Sequence, residues 1–188
     1  YDYRRTESNS DINLLPWVYS AASNSRVVSG TRRELPSDNA NVDFMGSRYR
    51  DISVSPALVE LRHWQNLANS GCLSHYIMGR LDNHADQSSF EPTRRIFRFH
   101  KDHQEQLTGL ISAARVVVMR KDTHPTDQEI NGWIRALTES HIPFDEMLVS
   151  DIKEIDQLSG KDVVILGDLK QLSGRQAAAF DEFAQAGG

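Results

Sequence analysis

Ala114-Arg-Val-Val-Val-Met119, Phe144-Asp-Glu-Met-Leu-Val149 and Asp162-Val-Val-Ile-Leu-Gly167 are three short β-rich apolar runs, and the stretch that contains them decides the fold class. Asp127 to His141 has helical spacing between the first two runs. A short helical piece, 151–158, precedes the third, and Ser173 to Ala186 follows it. Strands alternating with helices predict a parallel sheet with right-handed crossovers. Three strands are few for a sheet whose two faces must both be covered. The relay stops at Gly187-Gly188, where a further strand is expected. The segment therefore reads as an incomplete copy of an α/β domain from a longer protein.

Upstream, the pattern is different. Tyr1 to Arg5 reads as a strand end, and Thr6-Glu7-Ser8-Asn9 as a polar loop after it. Leu14 to Val28 fits neither the helical nor the strand period. Glu34 to Asn41 reads as a loop on its Pro36, Asp38 and Asn39, and Asn41 to Met45 as a short strand. Ser55-Pro56 is a helix start, with Ser as N-cap and Pro at N1. Leu58, Leu61, Trp64 and Ala68 are expected on its core face, and Gly71 at its end. Cys72 to Met78 is the next strand. The polar loop from Arg80 to Ser89 follows, then a helix from Pro92 to about Leu107. Helix–strand–loop–helix is how the end of a (β/α)₈ barrel reads, and barrel chemistry sits in the loops after the strands. The expected division is 1–110 for the barrel portion and 111–188 for the α/β segment.

The chain has 188 residues, of which 39% are hydrophobic and 25% charged, so it belongs with globular proteins. Its net charge of -5 and scattered Arg doublets argue against nucleic acid as the main partner. No apolar run approaches the ~20 residues that span a membrane. The single Cys72 leaves no internal disulfide and no cysteine-built zinc site. It is compatible with a reducing compartment such as the cytoplasm.

Two loops carry the candidate chemistry. Glu7, at the end of a strand-like segment, can act as acid, base or nucleophile if that end lines a barrel mouth. The alternative is a surface carboxylate. Asp82, Asn83 and His84 form a dense polar cluster suited to sugar hydroxyls or a metal, against a merely solvated loop. Their spacing matches no calcium loop, and His100 and His103 lack a third ligand, so neither a metal nor a cofactor is expected. Trp17 and Tyr19 are candidate stacking platforms for sugar rings. No Gly-rich phosphate cradle is present, and Lys121-Asp-Thr-His-Pro125 is a poor one, which disfavours a small-molecule-binding flavodoxin-like domain.

Pro143-Phe-Asp-Glu146, Lys161 to Asp168, Leu172-Ser-Gly-Arg-Gln176 and Phe183-Ala-Gln-Ala-Gly-Gly188 together resemble the trimerisation domain of glycoside hydrolase family 42 β-galactosidases. Glu7-Ser-Asn9, Trp17-Val-Tyr-Ser20, Arg48-Tyr-Arg50, Ser55-Pro56, Gln65-Asn-Leu-Ala-Asn69, Tyr76-Ile-Met-Gly79 and Leu81-Asp-Asn83 resemble the barrel end of the related hypothetical glycosyl hydrolase 6 group. The resemblance covers nearly the whole chain and rests on the order of these motifs. It implies the C-terminal part of a (β/α)₈ barrel followed by an incomplete class I glutamine-amidotransferase-like (flavodoxin-like) parallel-sheet domain. It also implies a carbohydrate substrate, a homotrimer, and β-galactosidase-like hydrolysis by two carboxylates. Glu7 is the local candidate for one carboxylate, and the other is expected upstream of Tyr1. Asn9, Trp17, Tyr19, Asp82, Asn83 and His84 are then expected to contact substrate. The isolated chain is expected to be inactive. The alternative is a non-catalytic oligomerisation or binding module with an amidotransferase-like fold.

Overall fold

A computed structural model describes residues 4–8, 17–31, 36–46, 48–121, 128–167 and 169–188. The chain forms two compact units, Tyr1–Leu110 and Ile111–Gly188. Both are α/β, and each contains a three-stranded parallel sheet.

In the first unit β1 (Arg4–Ser8), β2 (Ser37–Val42) and β3 (Gly71–Tyr76) lie side by side in chain order. The crossovers are α1 (Ser20–Thr31) and α2 (Pro56–Ala68). After β3 come α3 (Phe90–Asp102) and the single turn α4 (Gln104–Leu107). The strand β1 runs to Ser8, so Glu7 lies within it and not in the loop beyond it, with its Cα in register with Ala40.

The segment 37–42 is a strand where the sequence reads as a loop, and the reason is a buried polar seam. Asn39 and Asn41 are both fully buried in β2. The amide of Asn39 donates to Oδ1 of Asn66 on α2 at 2.9 Å, and its oxygen accepts from Asn24 on α1 at 3.0 Å. The Asn66 amide donates back to the Asn39 carbonyl at 3.1 Å, and the Ser25 hydroxyl also reaches Asn66 Oδ1. The Asn41 amide donates to the Val59 carbonyl at 2.9 Å. With Asn39 satisfied at both ends and the Asn41 amide nitrogen paired, residues that normally favour turns occupy the middle of a sheet, although the Asn41 side-chain oxygen has no partner among the described residues. The same seam explains α1, whose buried side includes Ser23 and Ser25 beside Ala21, Ala22, Val27 and Val28. A helix with so polar a packed face shows no clear apolar period.

Ser55 caps α2 as its sequence predicts, accepting from the Leu58 amide with Pro56 at the first helical position. The face that packs is rotated from the expected one. Val59, Arg62, His63, Asn66 and Leu67 are buried, whereas Leu61 and Trp64 are exposed. The left-handed residue after α2 is Ser70, at φ 60°, and not Gly71. Gly71 opens β3, where a Cβ would sit 2.5 Å from Ser25 Oγ and 3.0 Å from the Asn66 carbonyl. Its lack of a side chain lets β3 approach the two helices. The helix expected from Pro92 starts two residues earlier, at Phe90.

In the second unit β4 (Val116–Arg120) lies between β5 (Phe144–Leu148) and β6 (Val163–Ile165). The first strand in the centre, with the next two on opposite sides, is the opening order of a doubly wound sheet. The expected helices are α5 (Gln128–Glu139) and α6 (Gly174–Gln185). The 151–158 piece is instead two 3₁₀ turns, Val149–Asp151 and Ile155–Leu158. Val117, Met119, Met147, Ile152 and Leu158 form one apolar core with Ala179 and Phe180 of α6. On α5, Ile130, Ile134 and Leu137 are buried at helical spacing as the sequence predicts. The helix ends in a Schellman arrangement, with His141 left-handed at φ 55° and the Ile142 amide bonded to the Leu137 carbonyl.

Among the described residues of this unit two ion pairs are buried, Arg120 with Glu146 at 3.0 Å and Lys161 with Asp145. Lys161 also donates to the Ala114 carbonyl at 2.7 Å, so its charge is shared between two acceptors.

Ile134 has no exposed surface. Replacing it with Asp would bury a carboxylate with no apolar contact to replace it, and the expected destabilisation is on the order of several kcal/mol. An unchanged urea midpoint for Ile134→Asp would refute this packing.

Candidate functional site

The C-terminal ends of β1, β2 and β3 all lie at one edge of the first sheet, because the strands are parallel. In α/β proteins that edge is where ligands bind. Of the predicted residues, Asn9 and the side chain of Glu7 lie outside the described residues. Trp17 and Tyr19, at the entry to α1, meet edge to face with ring centroids 5.3 Å apart. Gln65 of α2 holds this entry in place. It donates to the Val18 carbonyl at 2.8 Å and accepts from the Ala22 amide at 3.2 Å.

Asp82, Asn83 and His84 share the β3–α3 loop but not an environment. Asp82 is exposed and takes a two-pronged bond from the Arg80 guanidinium, at 3.0 and 2.7 Å. Asn83 is exposed. His84 is buried, with Nδ1 2.9 Å from the Asp86 carbonyl and its ring against Phe90. Asp82 and Asn83 thus face solvent with free acceptor and donor capacity, while His84 braces the loop from within. Cys72 is exposed, and its thiol pKa is raised by partial desolvation and the neighbouring Asp38 charge, which disfavours the thiolate.

The most elaborate chemistry at this edge belongs to Asp43, which directly follows β2 and has no exposed surface. Its Oδ1 accepts from the Val54 amide at 3.1 Å. Its Oδ2 accepts from the Ser53 hydroxyl at 3.2 Å and from the Ser89 hydroxyl, and lies 3.2 Å from His75 Nε2. Burial pushes the Asp43 pKa up. His75, whose Nε2 lies 3.2 Å away, and the Ser89 and Ser53 hydroxyls outweigh burial and hold it below the usual carboxylate range. Sequence reading missed this group by placing Asp43 inside a strand. The available signal was a lone carboxylate within Val42-Asp43-Phe44-Met45, which must find donors if that run is buried.

The cluster is not a nucleophilic triad. That arrangement needs a histidine between the acid and the hydroxyl. Here Ser53 and Ser89 bond to the carboxylate directly.

Beneath Asp43 lie His63 and Arg62 of α2. The His63 ring packs on His75 and Phe97. Neither of its nitrogens has a hydrogen-bond partner among the described residues. Burial, the neighbouring His75 and the Arg62 charge together lower its pKa to about 3, against the opposing pull of Asp43. It is therefore neutral at pH 7. Arg62 donates to the Val42 carbonyl at 3.2 Å and is lowered by burial to about 10, so it remains a cation. Among the described residues no cluster of three or more His, Cys, Asp or Glu side chains could hold a metal ion. No helix among them is long and apolar enough to cross a membrane.

No family model matches the chain, and no curated protein matches it in sequence. Among solved structures it is similar to alpha-L-fucosidase isoenzyme 2 from Paenibacillus thiaminolyticus, with a TM-score of 0.68 at 17% identity. The match covers 96% of this chain and 28% of that one. The chain thus spans little more than a quarter of its neighbour's length. At this identity the likeness shows a shared α/β fold with parallel sheets.

The His63 shift makes the first unit sensitive to acid. An unfolded histidine takes a proton near pH 6.5, whereas folded His63 refuses it until about pH 3. Between those values the unfolded chain binds more protons, so stability falls as pH falls, by up to about 1.4 kcal/mol per pH unit. Asp43 adds to the loss at lower pH. Its folded pKa is depressed, so its contribution is present above the unfolded carboxylate value and disappears as pH falls through the folded one. His63→Leu removes the titration and should flatten the dependence of the first unit's unfolding on pH between 6.5 and 4. An unchanged slope in that variant would rule out His63 as its source.

Proposed function

We propose that the chain is part of a carbohydrate-active enzyme that hydrolyses O-glycosidic bonds. In this reading residues 1–110 are the C-terminal portion of a (β/α)₈ barrel, and 111–188 belong to a non-catalytic amidotransferase-like domain. The observation that carries the proposal is the strand order of the first unit. Three parallel strands follow one another in space as they do in sequence, each joined to the next through a helix, which is the repeating step of such a barrel. The likeness to a fucosidase along almost the whole chain supports the hydrolase class, and the motif order read from the sequence supports a β-galactosidase-like one.

Glu7 is proposed as one of the two carboxylates, from its place near the end of β1. Asp82 and Asn83 are proposed to bind sugar hydroxyls, and Asn9, Trp17 and Tyr19 to border the same mouth. Arg80 has a supporting role here. Its guanidinium fork fixes the Asp82 carboxylate, so less side-chain freedom is lost when a hydroxyl binds. His84 contributes by holding the loop from inside.

The test uses the complete protein that contains this segment, assayed on aryl α-L-fucosides and aryl β-D-galactosides. Glu7→Gln is expected to reduce kcat by about 10²-fold or more, as for loss of a catalytic acid or base. Asp82→Ala is expected to lower kcat/KM by about 10-fold while the melting temperature stays put. The 188-residue chain by itself should show no turnover, because two carboxylates must face each other at about 5–9 Å. Wild-type kinetics in both variants would reject the site, and a complete protein inert on every glycoside tried would reject the class.

A further inference from the structure

Residues 43–46 and 48–55 belong to the β2–α2 loop and 77–89 to the β3–α3 loop, and each loop sends a carboxylate into the other. Asp43 begins the first loop and accepts from Ser89, the last residue of the second. Asp86, in the second loop, accepts from the Ser53 amide at 3.1 Å through Oδ2, near the end of the first. The Ser53 hydroxyl lies 3.2 Å from both Asp43 Oδ2 and the Asp86 carbonyl, and 3.5 Å from the Ser89 hydroxyl. Asp86 Oδ1 also takes the Ser88 amide at 3.1 Å. Ser53, Ser89 and Asp43 are all buried, whereas Tyr49, Ile52 and Leu81 nearer the loop tips are largely exposed. The closing ends of two successive loops are therefore tied to each other, and only their outer parts face solvent.

We propose that Asp43, Ser53, Asp86 and Ser89 form a reciprocal clamp that makes the two loops one positioned unit, and that Ser89 and Asp43 thereby act as positioning residues for the sugar contacts at Asp82 and Asn83. The assignment of those contacts rests on the glycoside hydrolase reading above, whereas the clamp does not. Loops closed independently would need only their own bonds. Here the first carboxylate lends one oxygen to Val54 of its own loop and the other to the neighbouring loop. Charged acceptors suit such a task, since each bond to a carboxylate is stronger than one between neutral groups. The benefit to a ligand is preorganisation, because a loop already held in place loses less freedom on binding.

The mildest perturbation is Ser89→Ala, which removes one hydroxyl. Ser89 sits at the start of α3 but makes no capping bond with its side chain, so the helix loses no cap. Hydrogen exchange of the 188-residue chain should then rise about 10-fold or more at amides 44–52, in the other loop, as well as at 77–88. Ser89→Thr, which keeps the hydroxyl, should restore both. A rise confined to 77–88 would overturn the clamp, as would failure of Thr to restore protection. In the complete protein, Ser89→Ala should lower kcat/KM on its aryl glycoside about 10-fold, with recovery in Ser89→Thr. Unchanged kinetics in an active enzyme would overturn the positioning role while leaving the hydrolase class standing. Coupled exchange in a protein inert on all glycosides would reject the hydrolase class and the sugar contacts with it, and leave the clamp standing.

Discussion

The Asn39 carboxamide is the joint on which the first unit depends. Strand β2 lies between β1 and β3, so its helix-facing side chains must fit under α1 and α2 at once. Asn39 bonds to Asn24 on one helix and Asn66 on the other, and Asn66 returns a bond to the strand's own backbone. Each buried amide group used in this joint is matched, and the match is directional. An apolar pair tolerates sliding, whereas an amide pair at 2.9 Å fixes the height of strand against helix. The packing of α1, the rotation of α2 and the glycine at the start of β3 follow from that fixed height.

The same constraint places the candidate site. With α2 turned so that Asn66 meets Asn39, Arg62 and His63 come under the end of β2, one turn of helix earlier. Arg62 holds the Val42 carbonyl there, and Asp43 is the next residue. The Asp43 charge is thus received in a place already lined with donors, two hydroxyls and one backbone amide, with the His75 imidazole 3.2 Å away. Replacing a hydration shell with donors of this kind is what permits an ionised carboxylate to be fully buried.

The second unit is built differently. Its strands β4 and β6 are Val-rich, and its core is a continuous apolar cluster between sheet and α6. Among its described residues two buried ion pairs, Arg120 with Glu146 and Lys161 with Asp145, carry the buried charge. Pairs of this kind add little net stability, but removing either partner alone is expensive, so they favour one arrangement over close competitors.

This contrast explains what was readable. The sequence by itself determined most of the second unit: three apolar runs, a helix with Ile130, Ile134 and Leu137 in phase, and the helical stretch from Ser173 that becomes α6. It also determined the Ser55-Pro56 start of α2. In each case local periodicity and packing point the same way. Tertiary structure alone decided that Ser-Asp-Asn-Ala-Asn-Val, 37–42, is a strand, because those amides become strand-compatible only when partners from residues 24 and 66 arrive. It decided that Trp64 faces outward, since the buried stripe was selected by hydrogen bonding instead of apolarity. It likewise separated His84 from Asp82 and Asn83, three neighbours that composition treats alike, and tied Asp43 to Ser89 across 46 positions. Hydrophobic burial leaves a periodic trace in the chain, whereas a hydrogen bond between distant residues leaves none.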